Sequence, residues 1–352
     1  MKILITGGAG FVGANLALYF ANRGDEVWCL DNLARRGSEF NLPMLKENGI
    51  HFIHGDIRSA EDFPRIKPDV VLECSAQPSA IDGYGNPYYD FSNNTLGLIN
   101  VLEYIRKDTE ASLIFWSTNK VYSAEKINQF CTEETDTRWK WAVPTFPYPK
   151  GWNYCSGFDS TFPVDGGKHS IYGLSKIMSD LACQEYYDAF GIPIVVNRFS
   201  CLAGERQWGK SAQGWVAWWA IAAHFGLPLK YIGWKGKQVR DVLFIDDICG
   251  LIDAEISQMD TIKGNVFNVG GGHENTLSLI EATKLMEKKF NKKMVVTVEE
   301  DPRKADHCVY ISNIEKAKRL IGWEPKVGIE AGYDKIIRWV KDNSDILKKL
   351  YL

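Results

Sequence analysis

The sequence predicts an α/β fold: a doubly wound parallel sheet followed by a smaller C-terminal α/β lobe that would bind a substrate. Three observations predict it. Short apolar strands alternate with helical segments through the first half of the chain, which is typical of a parallel sheet covered by helices on both faces. A glycine-rich turn joins the first strand to the first helix. Beyond about residue 202 the pattern becomes less regular, as expected for an elaborated second lobe.

The elements can be placed in order from their apolar runs and their periodicity. Strands are expected at Lys2–Thr6, Glu26–Leu30, Ile50–His54, Asp69–Cys74, Ser112–Trp116 and Ile194–Arg198. Helices are expected at Phe11–Arg23, Asn93–Arg106, Tyr172–Phe190, Gly214–Phe225, Ser278–Phe290 and Ile314–Ile321. Right-handed crossovers between the strands give the doubly wound arrangement, with the second and third of these helices side by side on one face.

Two domains are expected from this pattern. Residues 1–201 would form the first, and residues 202–352 would form mainly the substrate-binding lobe, with segments around 240–258 returning to the first domain. Residues 131–170 include a stretch rich in Pro, Gly and Trp that is too long for an ordinary connection. They are therefore expected to form a functional loop or lid.

The composition argues against several classes of function. The 352 residues are 45% hydrophobic and 24% charged with a formal net charge of −3, so no nucleic-acid or membrane partner is expected. No run is long and apolar enough to span a bilayer, and the chain opens with a strand rather than a signal peptide. The cysteines and histidines lack the spacing of metal ligands, so no metal is expected. A reducing cytoplasm is the expected compartment.

The segment Thr6–Gly13 is typical of a Rossmann-like dinucleotide-binding turn. Its glycines at positions 7, 10 and 13 allow a tight turn, close approach of a pyrophosphate, and close packing of helix on strand. Asp31 ends the second strand where an acid can bind a ribose 2′-hydroxyl, which favours NAD. Arg35 and Arg36, further along the loop, could instead accommodate the phosphate of NADP. Asp56 is expected to meet the adenine amine, a role compatible with capping a helix.

A second group of residues carries the chemistry of proton and hydride transfer. Tyr172 and Lys176 are one helical turn apart and so share a face. A phenol normally titrates near pH 10, and a nearby ammonium, aided by the positive charge of the nicotinamide, is expected to lower its pKa toward the working range. Thr118, at the end of a strand, can donate a hydrogen bond to the substrate oxygen on which Tyr172 acts and can stabilise the charge that develops there.

In this order, the motifs resemble the extended short-chain dehydrogenase/reductases, specifically the nucleotide-sugar epimerases and dehydratases. The resemblance covers nearly the whole chain. Beyond the segments above it includes Asp31-Asn32-Leu33, His54-Gly55-Asp56-Ile57, Thr118 four residues before Tyr122, Arg240-Asp241-Val242, Phe267–Gly271 and Arg303-x-x-Asp306.

The resemblance implies a role for each matching residue. Tyr172 is the acid/base, Lys176 its electrostatic partner and a ribose contact, and Thr118 the second hydroxyl. The cofactor NAD is implied to contact Gly7, Gly10, Phe11, Val12, Asp31, Asn32, Asp56, Ile57, Cys74, Ser75, Ala76, Gln77, Asn94, Ser117, Tyr172, Lys176 and Phe199. The nucleotide-sugar substrate is implied to contact Ser79, Asn119, Gln207, Gln213, Arg240, Arg303 and Asp306. The two arginines would hold phosphates. A homodimer through the two adjacent helices, or a homotetramer of such dimers, is also implied.

The residues after Thr118 bear on the reaction. The family's 4,6-dehydratases carry an Asp-Glu pair there, whereas this chain has Asn119 and Lys120, which disfavours elimination of water. The Arg206-Gln207, Gln213–Trp218 and Gly236–Leu243 segments resemble the branch that inverts C2 of CDP-linked hexoses. Asn119 could orient the sugar, and Lys120 could contact sugar or an acid, or be a surface charge. A 4- or 2-epimerase of a UDP- or GDP-sugar, and a non-catalytic NAD-binding regulatory protein, stay open as alternatives.

Overall fold

The computed structural model describes residues 1–143, 147–211 and 213–352. The strands along the chain are β1 (Lys2–Thr6), β2 (Glu26–Asp31), β3 (His51–His54), β4 (Val70–Glu73), β5 (Ser112–Thr118), β6 (Cys131–Glu134), β7 (Trp139–Trp141), β8 (Trp152–Asn153), β9 (Gly157–Phe158), β10 (Ile194–Phe199), β11 (Cys201–Ala203), β12 (Leu229–Ile232), β13 (Val239–Phe244), β14 (Val266–Val269), β15 (Thr276–Ser278), β16 (Val296–Glu299) and β17 (Val309–Tyr310).

The α-helices are α1 (Phe11–Asn22), α2 (Leu42–Glu47), α3 (Asp82–Gly85), α4 (Pro87–Asp90), α5 (Gly97–Asp108), α6 (Ala124–Asn128), α7 (Ile171–Phe190), α8 (Trp215–Phe225), α9 (Ile245–Ser257), α10 (Met259–Ile262), α11 (Leu279–Phe290), α12 (Glu315–Ile321), α13 (Ile329–Asp342) and α14 (Ser344–Tyr351). Short 3₁₀ turns cover Ser38–Asn41, Ala60–Asp62, Asn119–Val121 and Trp234–Gly236, and a π-helical segment, Phe91–Leu96, leads into α5.

The largest sheet confirms the predicted doubly wound architecture. Within the described residues its seven strands follow the order β14-β10-β5-β4-β1-β2-β3. The β1–β2, β2–β3, β1–β4 and β4–β5 ladders are all parallel. The chain proceeds from β1 outward to β3 and then returns to β4 on the other side of β1. This reversal makes the carboxyl end of β1 the place where such sheets bind ligands.

The chain divides into two compact units that interleave along the sequence. The first unit comprises Met1–Thr118, Ile171–Arg198 and Ile248–Phe267, and the second comprises Asn119–Ser170, Phe199–Asp247 and Asn268–Leu352. These divisions differ from the expected boundary at residue 201, chiefly because the segment after Thr118 joins the second unit.

In the first unit the core lies between the sheet and the helices α5 and α7. Helix α5 buries Val101, Leu102 and Ile105 on one face, while Lys107 on the opposite face is exposed. Burial of such an apolar stripe stabilises a helix more than its intrinsic propensity does. Helices α5 and α7 are adjacent, as predicted, since the Tyr186 hydroxyl donates to Glu103 at 3.0 Å.

The second unit is built from smaller sheets. Strands β11, β13 and β15 form one sheet in which β17 also pairs with β13, and β12 pairs with β16. The segment 131–170, expected as a loop or lid, contains the hairpins β6–β7 and β8–β9 in its described part. Aromatic packing holds these hairpins: Phe130 stacks on Trp152 at 4.2 Å between ring centroids, and Phe158 stacks on Tyr310 at 5.5 Å.

Two further findings concern the chain as a whole. No described helix combines the length and the hydropathy that a membrane span needs. Cys29, Cys74, Cys155, Cys183, Cys201 and Cys249 are free thiols. Cys308, in contrast, is disulfide-bonded, so the expectation of reduced cysteines does not extend to it.

Candidate active site

The glycine turn after β1 forms a cradle that only glycine can line. Gly7 has φ +64°, and a Cβ on it would lie 2.8 Å from backbone atoms of Ser75. A Cβ on Gly13 would lie 2.2 Å from the carbonyl oxygen of Gly7, so α1 could not start so close to the turn with any larger residue. Phe11 and Val12 open α1 directly above this turn. The close-packed backbone at a helix N-terminus fits the pyrophosphate of a dinucleotide.

Asp31 ties this turn to the end of β2. Its carboxylate accepts hydrogen bonds from the backbone N–H of Ala9 at 3.0 Å and of Leu33 at 2.8 Å. Burial raises the pKa of Asp31, and these backbone donors act in the opposite direction. The acid thus lies beside the glycine turn, where the sequence placed a ribose contact.

The end of β2 also supplies Asn32, and the chain after β3 supplies Asp56 and Ile57. The Asn32 side chain donates to Asp56 at 2.9 Å, and Arg58 donates to both oxygens of Asp56 at 2.9 and 2.6 Å. These bonds to Arg58 lower the pKa of Asp56 to about 2. Ile57 was expected to contact cofactor, but its side chain is 5% exposed and packs in the core against Gly97.

The segment after β4 is held by Asn94. The Gln77 N–H donates to Asn94 Oδ1 at 2.8 Å, and Asn94 Nδ2 donates to Ser175 Oγ of α7 at 3.0 Å. Gln77 also donates to the buried Asp90 at 2.6 Å, and its amide oxygen accepts from the Ser79 N–H at 2.5 Å. Cys74, Ser75 and Ala76 lie between β4 and this anchor. The structure thus gathers these predicted residues on the same sheet edge as the glycine turn.

Tyr172 and Thr118 are brought together as the sequence predicted. Thr118 is the last residue of β5, two residues beyond the expected strand end, and its side chain shares a hydrogen bond with the Tyr172 hydroxyl. In the protein alone, the pKa of Tyr172 shifts in the direction opposite to the one predicted for the site with the nicotinamide bound. Burial raises the pKa of Tyr172 to about 12, the bond to Thr118 works against this, and Asp90 adds to it. Burial therefore outweighs any lowering by a neighbouring ammonium.

Lys176 lies one turn further along α7 and is 2% exposed. Its ammonium donates to the Trp116 carbonyl at 2.9 Å and lies 4.7 Å from the centre of the Phe115 ring. Burial lowers the pKa of Lys176, and the negative charge of Glu73 opposes this. Glu73 is itself buried at the end of β4, where burial raises its pKa and Lys176 counters the effect. A buried acid therefore balances the charge of the predicted lysine.

Asp180 lies one more turn along the same face of α7, and its hydrogen bonds join the helix to the sheet. Asp180 accepts from Ser117 at 2.5 Å and from Arg198 Nε and Nη2 at 2.9 and 2.8 Å. Both partners of this bidentate ion pair are buried, with 5% of the Arg198 side chain and 1% of the Asp180 side chain exposed. Ser117, expected to contact cofactor, donates its hydroxyl to Asp180.

In the second unit, one acid gathers two cations. Asp306 Oδ1 accepts from Lys120 Nζ at 2.7 Å and from Arg240 Nη2 at 2.8 Å. Burial alone would raise the pKa of Asp306, but Lys120 and Arg240 outweigh it and hold that pKa well below its usual range. Of the three roles left open for Lys120, the structure shows contact with an acid.

The other predicted substrate residues have these positions. Arg303 donates to the Ser211 carbonyl at 2.8 Å, and burial lowers its pKa. Gln207 is 4% exposed and donates to the Leu202 carbonyl at 3.0 Å. Gln213 pairs through its backbone with Lys210. Asn119 is 7% exposed in the 3₁₀ turn after β5, and Phe199, 3% exposed, ends β10.

Sequence reasoning missed three of the residues that shape the site: Glu73, Asp180 and Arg198. The regular spacing of Tyr172, Lys176 and Asp180, each four residues apart on one helix face, was an available signal for Asp180. Glu73 stood out as an acid closing an apolar strand. Arg198 carried no local signal, because its partner is distant in sequence.

Comparison with known proteins agrees with this geometry. Residues 3–151 match the model of the NAD dependent epimerase/dehydratase family, and residues 156–336 match that of GDP-mannose 4,6 dehydratase. The CDP-paratose 2-epimerase of Salmonella typhi is 36% identical over 96% of this chain and 99% of its own length.

Two solved structures extend the comparison. Pal from Bacillus thuringiensis is 27% identical with a TM-score of 0.80 and covers 97% of this chain and 99% of its own. The UDP-glucose 4-epimerase of Thermus thermophilus, in complex with NAD, is 25% identical with a TM-score of 0.75 and the same two coverages, 97% and 99%. The glycine cradle and the acid at the end of β2 fit that cofactor. The chain therefore belongs to the NAD-dependent epimerase/dehydratase family, whose members act on nucleotide sugars.

Proposed function

We propose that the chain is an epimerase that inverts C2 of a CDP-linked hexose, of the type that converts CDP-paratose to CDP-tyvelose. The observation that carries the proposal is the hydrogen bond between Thr118 and Tyr172, together with the presence of Asn119 and Lys120 directly after Thr118. The bonded hydroxyls suit transient oxidation of a sugar carbon. The absence of acids at positions 119 and 120 removes the groups that elimination of water requires. The similarity to a CDP-paratose 2-epimerase supports the choice of base and carbon.

The proton is handled by Tyr172 and Thr118. The Tyr172 oxygen takes the proton of the C2 hydroxyl, and the Thr118 hydroxyl donates a hydrogen bond to the C2 oxygen. The C–H and O–H bonds at C2 break, and a ketone forms. NAD, when bound, supplies reversible hydride transfer at that carbon, and its positive ring favours the ionised phenol. After the ketone has turned over, Tyr172 returns the proton and the alcohol is restored with inverted configuration. Lys176, held by Trp116 and balanced by Glu73, keeps a positive charge on the face of α7 that carries Tyr172.

The second unit is proposed to hold the rest of the substrate. Arg303 suits the diphosphate, because guanidinium groups match phosphate oxygens in charge and geometry. Arg240, whose terminal nitrogens are bonded to backbone carbonyls and to Asp306, is proposed to contribute its positive charge to the same diphosphate. Asp306 is proposed to contact the nucleotide ribose. Asn119, together with Ser79, Gln207 and Gln213, is proposed to contact the sugar.

The test is turnover of CDP-, UDP- and GDP-hexoses by the NAD-loaded protein with no nicotinamide added, with products identified by NMR. Inversion at C2 of a CDP-sugar is expected. Inversion at C4 of a UDP-sugar would instead support the 4-epimerase alternative, and turnover that occurs only when NADH is added in stoichiometric amount would overturn the epimerase mechanism. Removal of the acid/base in Tyr172→Phe is expected to slow turnover by about 10²–10⁴-fold. Tyr88→Phe, at a residue that is 77% exposed, is the matched control.

We also propose that the protein is a homodimer, or a tetramer of dimers, formed through α5 and α7. Leu174, Met178 and Leu181 support this, since they lie on one face of α7 and are 41%, 45% and 49% exposed. Sedimentation of the wild type and of Leu181→Glu tests the proposal, and an unchanged mass in the variant would contradict it. A cytoplasmic location is proposed as well, supported by the six cysteines that are free thiols in the described part of the chain, although Cys308 is disulfide-bonded.

A further inference from the structure

Lys120 reaches from the turn after β5 to the segment that carries Arg303 and Asp306. Its ammonium donates to Asp306 Oδ1 at 2.7 Å and to the carbonyl oxygen of Ala305 at 3.3 Å. Only 18% of the Lys120 side chain is exposed. A lysine in a mobile surface position would not keep two partners in consecutive residues, so the side chain is fixed to this segment rather than directed into solvent.

The segment that Lys120 holds is strained. Ala305 has φ +54°, in the left-handed region that residues with a Cβ rarely adopt. Such a conformation persists only where the surroundings impose it, and it is concentrated at ligand-binding sites. The bond from Lys120 to the Ala305 carbonyl is one of the contacts that impose it here. Release of this bond would let the peptide relax and would move Arg303 and Asp306, which lie on either side of it.

Arg240 holds the same segment from its other end. Its Nη1 donates to the carbonyls of Val239 at 2.7 Å and Cys308 at 3.3 Å. Its Nη2 donates to Asp306 at 2.8 Å and to the His307 carbonyl. These bonds occupy the terminal nitrogens that the sequence assigned to substrate phosphates. Arg240 therefore has a structural share in the site as well as its charge.

The charges of this cluster do not cancel. Lys120, Arg240 and Arg303 are three cations, and each is close enough to Asp306 to interact with it electrostatically. Asp306 is the carboxylate that all three share, and Glu299, the other acid near Arg303, is itself paired with Lys230, so a formal surplus of two positive charges remains. Partly buried charges of one sign are costly unless a ligand of opposite charge meets them. A diphosphate carries a matching negative charge.

We propose that Lys120 is a positioning residue that holds the 303–306 segment ready to bind the diphosphate of the nucleotide sugar. It thereby determines affinity for that substrate rather than the rate of the chemical step. The inference rests on the proposed function, because it takes the ligand to be a nucleoside diphosphate sugar. A glutamate at position 120 would face Asp306 with a like charge, so this arrangement could not hold the segment in the same way.

The test measures binding of CDP, UDP and GDP to the NAD-loaded, full-length protein by calorimetry. Lys120→Gln is expected to weaken binding of the preferred nucleotide about tenfold or more, because a charged hydrogen bond to the segment is lost. Lys120→Arg is expected to restore most of the affinity. The matched control is Lys126→Gln, which removes a lysine whose ammonium also bonds a carbonyl, that of Asp165 at 2.7 Å, outside the cluster. Affinity for NAD should not change in any of these variants.

Kinetics separate positioning from chemistry. For Lys120→Gln, KM for the nucleotide sugar should rise about tenfold while kcat stays within about threefold. Lys120→Gln should weaken binding less in the Asp306→Asn background than in the wild type, since one of the two bonds from the lysine to the segment is then already lost. Unchanged nucleotide affinity in Lys120→Gln, or a loss confined to kcat, would overturn the inference. If the wild type binds none of the three nucleotides, the proposed function fails as well, so the two failures are distinguishable.

Discussion

Two clusters of charged residues, one in each unit, centre on a single aspartate but differ in their balance. In the first unit, Asp180 faces Arg198, and at most 5% of either side chain is exposed. In the second, Asp306 faces Lys120 and Arg240, and 20% of the Asp306 side chain is exposed. A balanced and dry pair needs no further partner and acts as scaffold. A cluster with surplus charge that reaches the surface is suited to a charged ligand.

The largest effect is expected where the balanced pair is broken. Asp180→Asn leaves the buried guanidinium of Arg198 without its counter-charge, which should lower the free energy of unfolding by about 3–5 kcal/mol. Urea denaturation followed by tryptophan fluorescence measures it. Asp188→Asn, at an exposed acid on the same helix, is the control. A loss below about 1 kcal/mol would show that the pair is not a scaffold. The double variant Asp180→Leu/Arg198→Met should be more stable than Asp180→Asn, because no charge is left buried alone.

A smaller effect is expected at a buried acid whose environment is neutral. Glu255 is 0% exposed and accepts from Asn197 at 2.9 Å, and burial raises its pKa to about 8 from an ordinary value of 4.5. The folded protein therefore keeps this proton at pH values where the unfolded chain loses it. Its contribution to stability is full below pH 4.5 and is lost as the pH rises toward 8.

The variant Glu255→Gln removes this dependence. Between pH 5 and pH 8, the wild type should lose on the order of a few kcal/mol of stability relative to Glu255→Gln. Urea denaturation at several pH values checks it, with Asp260→Asn, whose side chain is 94% exposed, as control. Parallel pH profiles for wild type and Glu255→Gln would mean that Glu255 is ionised in the fold. Glu255 would then be a buried charged acid like Asp180 rather than a buried neutral one.

The smallest effect is expected at an exposed pair in the second unit. Lys230 and Glu299 lie 2.5 Å apart with 50% and 46% of their side chains exposed. Water and salt screen such a pair, so Glu299→Gln should change the free energy of unfolding by less than about 1 kcal/mol. The same denaturation assay measures this at low and high salt. A loss of more than about 2 kcal/mol would show that exposure does not separate weak charge pairs from strong ones here.

The candidate residues that lie together in the structure as expected share one property: local order along the chain places them. The glycine turn follows a strand and opens a helix, and this order is visible in the sequence. Tyr172 and Lys176 are four residues apart, so their spacing alone placed them on the same face of α7. Thr118 was found for the same reason, because it closes the strand β5.

Other features depend on contacts between distant segments. The bonds from Asp180 to Arg198 and from Lys120 to Asp306 join different parts of the chain, so no local pattern indicated them. The short strands of the 131–170 segment are stabilised by aromatic packing, and they carry too few residues for an alternation to be visible. The rise in the pKa of Tyr172 in the protein alone was not visible from the sequence because burial, which dominates it, is a property of the folded structure.

The three hydrogen bonds between α7 and the end of β5 fix the register of the helix against the strand. Trp116, Ser117 and Thr118 are consecutive, and they meet Lys176, Asp180 and Tyr172 respectively. A residue inserted between positions 172 and 180 would turn the phenol by about 100° and advance it by about 1.5 Å relative to the Asp180 anchor. The length of this interval is therefore as constrained as its residues, whereas length changes near the exposed end at Phe190 would leave the register intact.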